Sequence, residues 1–399
     1  MKRSIMLLGG SKFQSSAVEI ARQLGLKTIV VDKNPECFLS KYADEFFPID
    51  LIDINSLVAL AVEKKVIGAL TLQSDVGIRA IGAINETLNL KGINRKTSIN
   101  CTDKISMRKC LSNREVNQPV FKIIENLPMA LSAAQEIGYP IMVKSPNNSG
   151  SRGVFRINNN LEMNNFIENT QAELNSGEII IEKCLVGIEF GAQGFFESGI
   201  LKFLAIHNDT MGGENNIVPI GHSFPFLSRV NEVSVHSFAQ EIGAALGIQD
   251  GPANFDFITS EGQLFVIEVG ARVGATGLPE LVETFFGVDL IGLNVQMFMS
   301  DVQDIILKQR SDSVACRIIE AQAEGVIRKI DYSGLKKPTS DLLHWSIEKK
   351  SGDLVRKLQN GTDRIGIVMS RGKDVFEAEL SAFEACLNIS NSIEIEVTK

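Results

Sequence analysis

The first hundred residues alternate short apolar runs with amphipathic ones, and this rhythm restricts the fold more than any other feature of the chain. Ser4 to Leu8 reads as a buried strand, Gly9-Gly10-Ser11 as a turn and Ser15 to Leu24 as a helix. Lys27 to Val31 reads as a second strand ending at Asp32, Ala69 to Leu72 as a later strand and Val76 to Leu88 as a helix. Strands joined through helices lie parallel, because each crossover returns the chain to the same end of the sheet. The expectation is an α/β fold that opens on a doubly wound parallel sheet. A glycine turn after the first strand and an acid after the second also suit a dinucleotide site. Gly9-Gly10-Ser11-Lys12-Phe13-Gln14 lacks the GxGxxG spacing, which counts against a nicotinamide-dependent oxidoreductase. The turn still leaves room for a small anion at a helix N-terminus.

At 399 residues the chain exceeds one small core, so two or three domains are expected. A net charge of −8 argues against nucleic acid and anionic membranes as partners. No apolar run approaches the roughly 18 residues of a membrane span. Ile5 to Leu8 stops at Gly9-Gly10, too short for an export signal, so a cytoplasmic protein is expected. The six cysteines form no CxxC pair and read as reduced thiols. The histidines at 207, 222, 236 and 344 show no clustering and read as structural, although His207 lies in a polar stretch that could border a substrate.

Four later stretches carry the chemistry. Asp103-Lys104, with Met107-Arg108, opens a helix spanning about Thr102 to Ser112. Pro140 to Lys144 is a strand that ends in lysine and runs into Ser145-Pro146-Asn147-Asn148-Ser149-Gly150-Ser151-Arg152-Gly153. Such a loop offers backbone amides to phosphate oxygens and the freedom to close as a lid, although it is not a Walker A loop. The apolar strand Glu178 to Lys183 leads into Cys184-Leu185-Val186-Gly187-Ile188-Glu189. Finally, Asn254 to Phe257 and Phe265 to Glu268 flank the polar turn Ser260-Glu261-Gly262-Gln263, which predicts a β-hairpin. Asp256 and Glu268 fall at paired positions on its arms, where two hard oxygen ligands could share a divalent ion. Arg272 follows, among the small residues Gly270, Ala271, Gly274 and Ala275, placed to face charge developing on a phosphoryl group. Helices are expected at Asn160 to Glu173, Val233 to Leu246 and Leu278 to Met299. A polar crossing at Ser300 to Ser313 then leads to a last lobe with a helix at Val375 to Ala385.

Taken in order, these stretches resemble the ATP-grasp superfamily, in particular its carboxylate–amine ligases. The resemblance implies a pre-grasp domain at 1–97 and a grasp domain at 98–308, with a small lid subdomain at about 115–186. A C-terminal α+β lobe follows at 309–399. It implies ATP and Mg2+, or Mn2+ in its place, as cofactors. Lys104 and Lys144 would contact the phosphates beneath a lid containing Ser149, Gly150, Ser151 and Gly153. Glu182 and the backbone of Lys183 and Leu185 would read adenine, and Glu189 would hold the ribose. Asp256 and Glu268 would bind the metal, and Arg272, with Lys144, would act on the transferring phosphoryl group. The chain departs from the family where Gly270 stands in place of a frequent asparagine, where Asp256 replaces a frequent glutamate and where Lys183 follows Glu182.

The implied reaction joins a small carboxylate, an amino acid in first place, to an amine through an acyl phosphate, releasing ADP and phosphate. Gly274 to Gly277 and Arg317 are candidate contacts for the substrate carboxylate and a second anionic group. The alternatives are a carboxylating or purine-pathway member of the superfamily and a non-catalytic ATP-binding protein. A homodimer is the common outcome for soluble enzymes.

Overall fold

The computed structural model describes residues 2–125, 129–148, 150, 152–170, 178–213, 218–228, 230–301, 305–307, 312–335 and 337–397. Its first body is the expected parallel sheet. The strands β1 (Ser4–Leu8), β2 (Lys27–Val31), β3 (Glu45–Phe47) and β4 (Val66–Leu70) lie in the order β3-β2-β1-β4. The order reverses at β1, so the crossovers α1 (Ser15–Gln23) and α2 (Ile54–Lys64), with α3 (Ile78–Leu88) after β4, cover both faces. Met6, Leu8, Ile29 and Val31 face one core, and Ile5, Leu7 and Val30 face another, as alternation along a strand requires.

The dinucleotide reading fails at the turn after β1. The Asp32 carboxylate accepts from Gly10 N at 2.7 Å, and Gln14 is buried against Thr71 and Leu72. A Cβ at Gly10 would lie 2.2 Å from the Cys37 sulfur, so side chains of the protein itself fill the crevice.

After α4 (Arg95–Asn100) and α5 (Lys104–Ser112) comes a four-stranded sheet in the order β5-β8-β6-β7. Its strands are β5 (Phe121–Ile124), β6 (Ile141–Lys144), β7 (Val154–Ile157) and β8 (Ile179–Lys183), with α6 (Ala130–Ile137) and α7 (Asn160–Thr170) packed on it.

The largest element is an eight-stranded antiparallel sheet, β13-β12-β9-β10-β11-β14-β18-β16. It contains β9 (Ile188–Glu197), β10 (Ile200–Gly212), β11 (Val218–Phe224), β12 (Gly251–Ser260) and β13 (Gln263–Gly270), with helix α8 (Glu232–Leu246) between β11 and β12. The expected single helix from Leu278 to Met299 is two, α9 (Leu278–Phe286) and α10 (Leu290–Gln296). Gly287 ends the first at φ +72°, and Asp289 caps the second through Gly292 N. The sheet continues into the C-terminal lobe through β14 (Ser313–Ile319). That lobe adds β15 (Gly325–Ile330), β16 (Leu342–Ile347), β17 (Leu354–Val355), β18 (Gly366–Gly372), β19 (Ile393–Val397) and α11 (Val375–Asn391). The last helix outruns the expected end at Ala385 by six residues, because Ala378, Ala382, Cys386 and Ile389 continue its buried stripe.

Candidate functional site

The hairpin forms where the sequence places it. Glu261 and Gly262 both take positive φ, +51° and +77°, the geometry of a type I′ turn whose twist matches the strands. That turn sets the register from Ser260–Gln263 to Phe257–Val266, and a β-bulge that takes in Ile267 as an extra residue then brings Asp256 opposite Glu268 across β12 and β13. Both carboxylates are half-buried. Burial, followed by the charges of Glu268 and Asp209, pushes the Asp256 carboxyl up to about 7. Two adjacent acids holding excess negative charge in a partly dry site form a donor set that fits a hard divalent cation.

The cations come from separate elements. Lys104, at the start of α5, donates to Glu268 at 2.9 Å and to the Asn148 carbonyl at 2.6 Å. The Arg272 guanidinium grips both oxygens of Asp75, at 2.8 and 3.1 Å, and so ties the hairpin exit to the N-terminal body. A Cβ at Gly270 would lie 3.3 Å from the Arg272 guanidinium carbon, so the glycine leaves that side chain its space. Asp75 carried no motif in the sequence, because only the fold brings residues 197 apart together.

Glu182 has another engagement than the one expected of it. Its oxygens accept from Arg108 at 2.6 and 3.2 Å and from Lys144 at 2.6 Å, and all three residues are buried. Burial alone would raise the Glu182 carboxyl, but the two cations hold it well below the usual carboxylate range, at about 2. Arg108 also donates to the Ile267 carbonyl at 2.7 Å, next to Glu268. The sequence placed it in the stretch that opens α5 but assigned it no role. The Lys183 N–H, expected to face adenine, donates to the Val120 carbonyl, and its ammonium is held by the carbonyls of Gly138 and Tyr139. Leu185 is half-buried, and Glu189 is exposed at the start of β9.

The glycine-rich loop lies against three bodies. Pro146 O accepts from Lys104 N at 3.0 Å, Asn147 accepts from Arg79 at 2.8 Å, and Gly150 O accepts from Gly361 N at 3.3 Å. Gly150 and Gly153 sit at φ +66° and +65°, where a side chain is strained. Ser149 and Ser151 lie outside the described residues.

Two further features were not foreseen. His207 and His222, expected to stand apart, both direct Nδ1 at one oxygen of the buried Asp209, at 2.9 and 2.6 Å. The two imidazoles hold the Asp209 carboxyl far below its ordinary range. Sheet register explains the meeting: Asp209 pairs with His222, and His207 pairs with Gly191, itself the partner of Asp256. Arg317, a candidate for a substrate anion, faces away. Its neighbour Cys316 bonds the loop carbonyl of Thr276, so alternation points Arg317 to the opposite face, 5.1 Å over the Phe383 ring.

The loop after Arg272 is fastened to the carboxylates. Gly274 N donates to the Gln193 carbonyl oxygen at 2.7 Å, Gln193 donates to Asn254 at 2.6 Å, and Asn254 donates to Asp256 at 3.1 Å. Thr276, β-branched, is held at φ +58°, an unusual backbone for such a residue.

Among known proteins, residues 137–280 match the model of the ATP-grasp domain, and residues 317–395 match that of the L-amino acid ligase C-terminal domain 2. An L-arginine-specific L-amino acid ligase of Bacillus subtilis is 24% identical over 273 residues, 65% of this chain and 66% of that protein. The crystal structure of an L-amino acid ligase from Bacillus licheniformis superposes with a TM-score of 0.81 at 20% identity, covering 100% of this chain and 99% of that one. The phosphoribosylglycinamide synthetase of Anaerococcus prevotii gives 0.77 at 24% identity, with both chains covered completely. At these identities the structural likeness is one of fold.

Proposed function

We propose that this ATP-grasp chain is an ATP-dependent ligase that activates a small carboxylate, an amino acid in the first instance, and joins it to an amine with release of ADP and phosphate. The observation that carries the reading is the register pairing of Asp256 with Glu268 beneath Lys104, beside an arginine fixed by Asp75. The match of residues 317–395 to an L-amino acid ligase domain favours an amino acid over the substrates of other fold relatives.

A divalent cation held by Asp256 and Glu268 would supply Lewis acidity and neutralise phosphate charge. The protein's own part is positioning and electrostatics. Lys104 reaches from α5 to the carboxylates and to the lid backbone, and the phosphate oxygens would take the place of Glu268 as its partner. Lys144 ends its strand where the lid begins. Glu182 holds that lysine and Arg108 in place and acts on the nucleotide pocket through them. Arg272, locked by Asp75, presents a fixed positive field to the oxygens of the transferring phosphoryl group. The substrate carboxylate attacks the γ-phosphorus and ADP leaves. The amine nitrogen then attacks the acyl carbon, and phosphate leaves. Water must be kept out between these steps, and the contacts of Pro146, Asn147 and Gly150 with Lys104, Arg79 and Gly361 support this loop as the lid that does so.

The test is to supply Mg2+-ATP with pooled amino acids and measure ADP, AMP and phosphate. ADP with phosphate, dependent on the pool and lost in Glu268→Ala, supports the ligase. AMP with pyrophosphate overturns the acyl-phosphate route. Tight ATP binding without turnover on any carboxylate and amine favours a non-catalytic ATP-binding protein.

A further inference from the structure

We propose that Gln193 and Asn254 form a polarised relay that fixes the orientation of Asp256 and couples it to the loop at 272–277, making Gln193 a positioning residue of the cation site. The proposal rests on the reading above that Asp256 holds a cation.

The relay's direction is set at one end. A backbone N–H can only donate, so the Gln193 atom facing Gly274 N at 2.7 Å is the carbonyl oxygen. Its amide nitrogen therefore faces Asn254 at 2.6 Å, and the atom that receives it there is Oδ1. The Asn254 nitrogen is left toward Asp256 Oδ1, at 3.1 Å. A single main-chain donor thus propagates through two side-chain amides and arrives as a donor at the carboxylate.

The sheet makes the row possible. Gln193 pairs with Asn254 across β9 and β12, and Asn254 pairs with Gly270 across β12 and β13, so the amides lie side by side on the face that carries Asp256. Gln193 is 1% exposed, so neither end of its amide has water as an alternative partner. The loop must approach as glycine. A Cβ at Gly274 would stand 2.7 Å from both Asn254 Oδ1 and Gln193 Nε2.

Two consequences follow. Asp256 Oδ1 accepts from Asn254, so the carboxylate is held in one orientation toward the cation it would bind. The loop that carries Arg272 and Gly274 is linked to the same carboxylate, so loop position and cation affinity depend on each other.

The experiment is Mn2+ binding to the full chain, read by the electron spin resonance of free Mn2+, for the native protein, Gln193→Met, Asn254→Leu and the double variant. Melting curves are recorded in parallel. Each single variant is expected to bind Mn2+ about tenfold more weakly or worse, as when a partner orienting a metal ligand is lost. The double variant should be no worse than either single one, because a relay fails as a unit. A role confined to packing predicts lower melting temperatures with unchanged Mn2+ affinity. That outcome, or losses that add, overturns the proposal. If Gln193→Met does not fold, Gln193→Glu replaces it. It still accepts from Gly274 but, when ionised, cannot donate to Asn254. By added charge alone it would strengthen Mn2+ binding, and the relay requires it to weaken it. Absence of Mn2+ binding by the native protein overturns the cation reading itself. Native binding with undiminished variants overturns only the relay.

Discussion

Replacing Glu182 with glutamine should destabilise the protein by an amount that depends on pH in a defined way. The perturbation removes one negative charge from a buried cluster and leaves Arg108 and Lys144, 2% and 7% exposed, without it. Losing one partner of a buried ion pair costs about 3–5 kcal/mol. The carboxyl itself gives a second route to the number, because it is held at about 2 against an ordinary 4.5. That gap of about 2.5, at about 1.36 kcal/mol for each, amounts to about 3 kcal/mol. An acid whose folded value is depressed contributes stability that is fully present above its unfolded value and is lost as pH falls toward the folded one. The difference between native protein and variant should therefore be flat above pH ~5.5 and shrink by about 1.4 kcal/mol at pH 3.5. Urea unfolding of both proteins at pH 7, 5.5 and 3.5 measures it. Equal stability at pH 7, or a gap that stays constant down to pH 3.5, would refute the ion-cluster reasoning and return Glu182 to a role in direct ligand contact.

The Asp256 carboxyl, raised to about 7, has the opposite sign: its ionisation costs stability as pH rises through the range up to 7. Asp256→Asn should accordingly raise the melting temperature of the metal-free protein at pH 8, leave it nearly unchanged at pH 4 and abolish Mn2+ binding, all readable by calorimetry with and without Mn2+. Arg272→Lys keeps the charge but cannot span both oxygens of Asp75; ADP release should fall about a hundredfold while nucleotide binding, followed by fluorescence, persists. Gly191→Ala would place a methyl 2.3 Å from the His207 ring carbon and push the imidazole off Asp209; thermal unfolding should show a loss of about 1–3 kcal/mol.

Local chemistry made much of this protein legible from its sequence. The period of apolar residues marked the parallel strands, and a Glu-Gly turn between two apolar runs fixed the hairpin, although the one-residue bulge that brings Asp256 opposite Glu268 left no mark in the sequence. A lysine before a loop of Gly, Ser and Asn marked the strand end at Lys144 and the loop that follows it in the same way. These features depend on neighbours within a few residues, so spacing and residue type suffice. What remained hidden depends on sheet order. Asp75 meets Arg272 because the N-terminal body docks on the hairpin exit, and Arg108 reaches Glu182 because α5 lies where its arginine can bond both β8 and β13. His207, Asp209 and His222 converge because β10 and β11 pair in one register, and a one-residue slip would turn one partner to the other face. Likewise, Gln193 and Asn254, 61 residues apart, become neighbours only when β12 inserts beside β9. The sequence determined which residues carry charge, turn or bend the chain. Only the tertiary structure decided which of those charges share a partner, because long-range pairing follows from how whole strands align and carries no local signature.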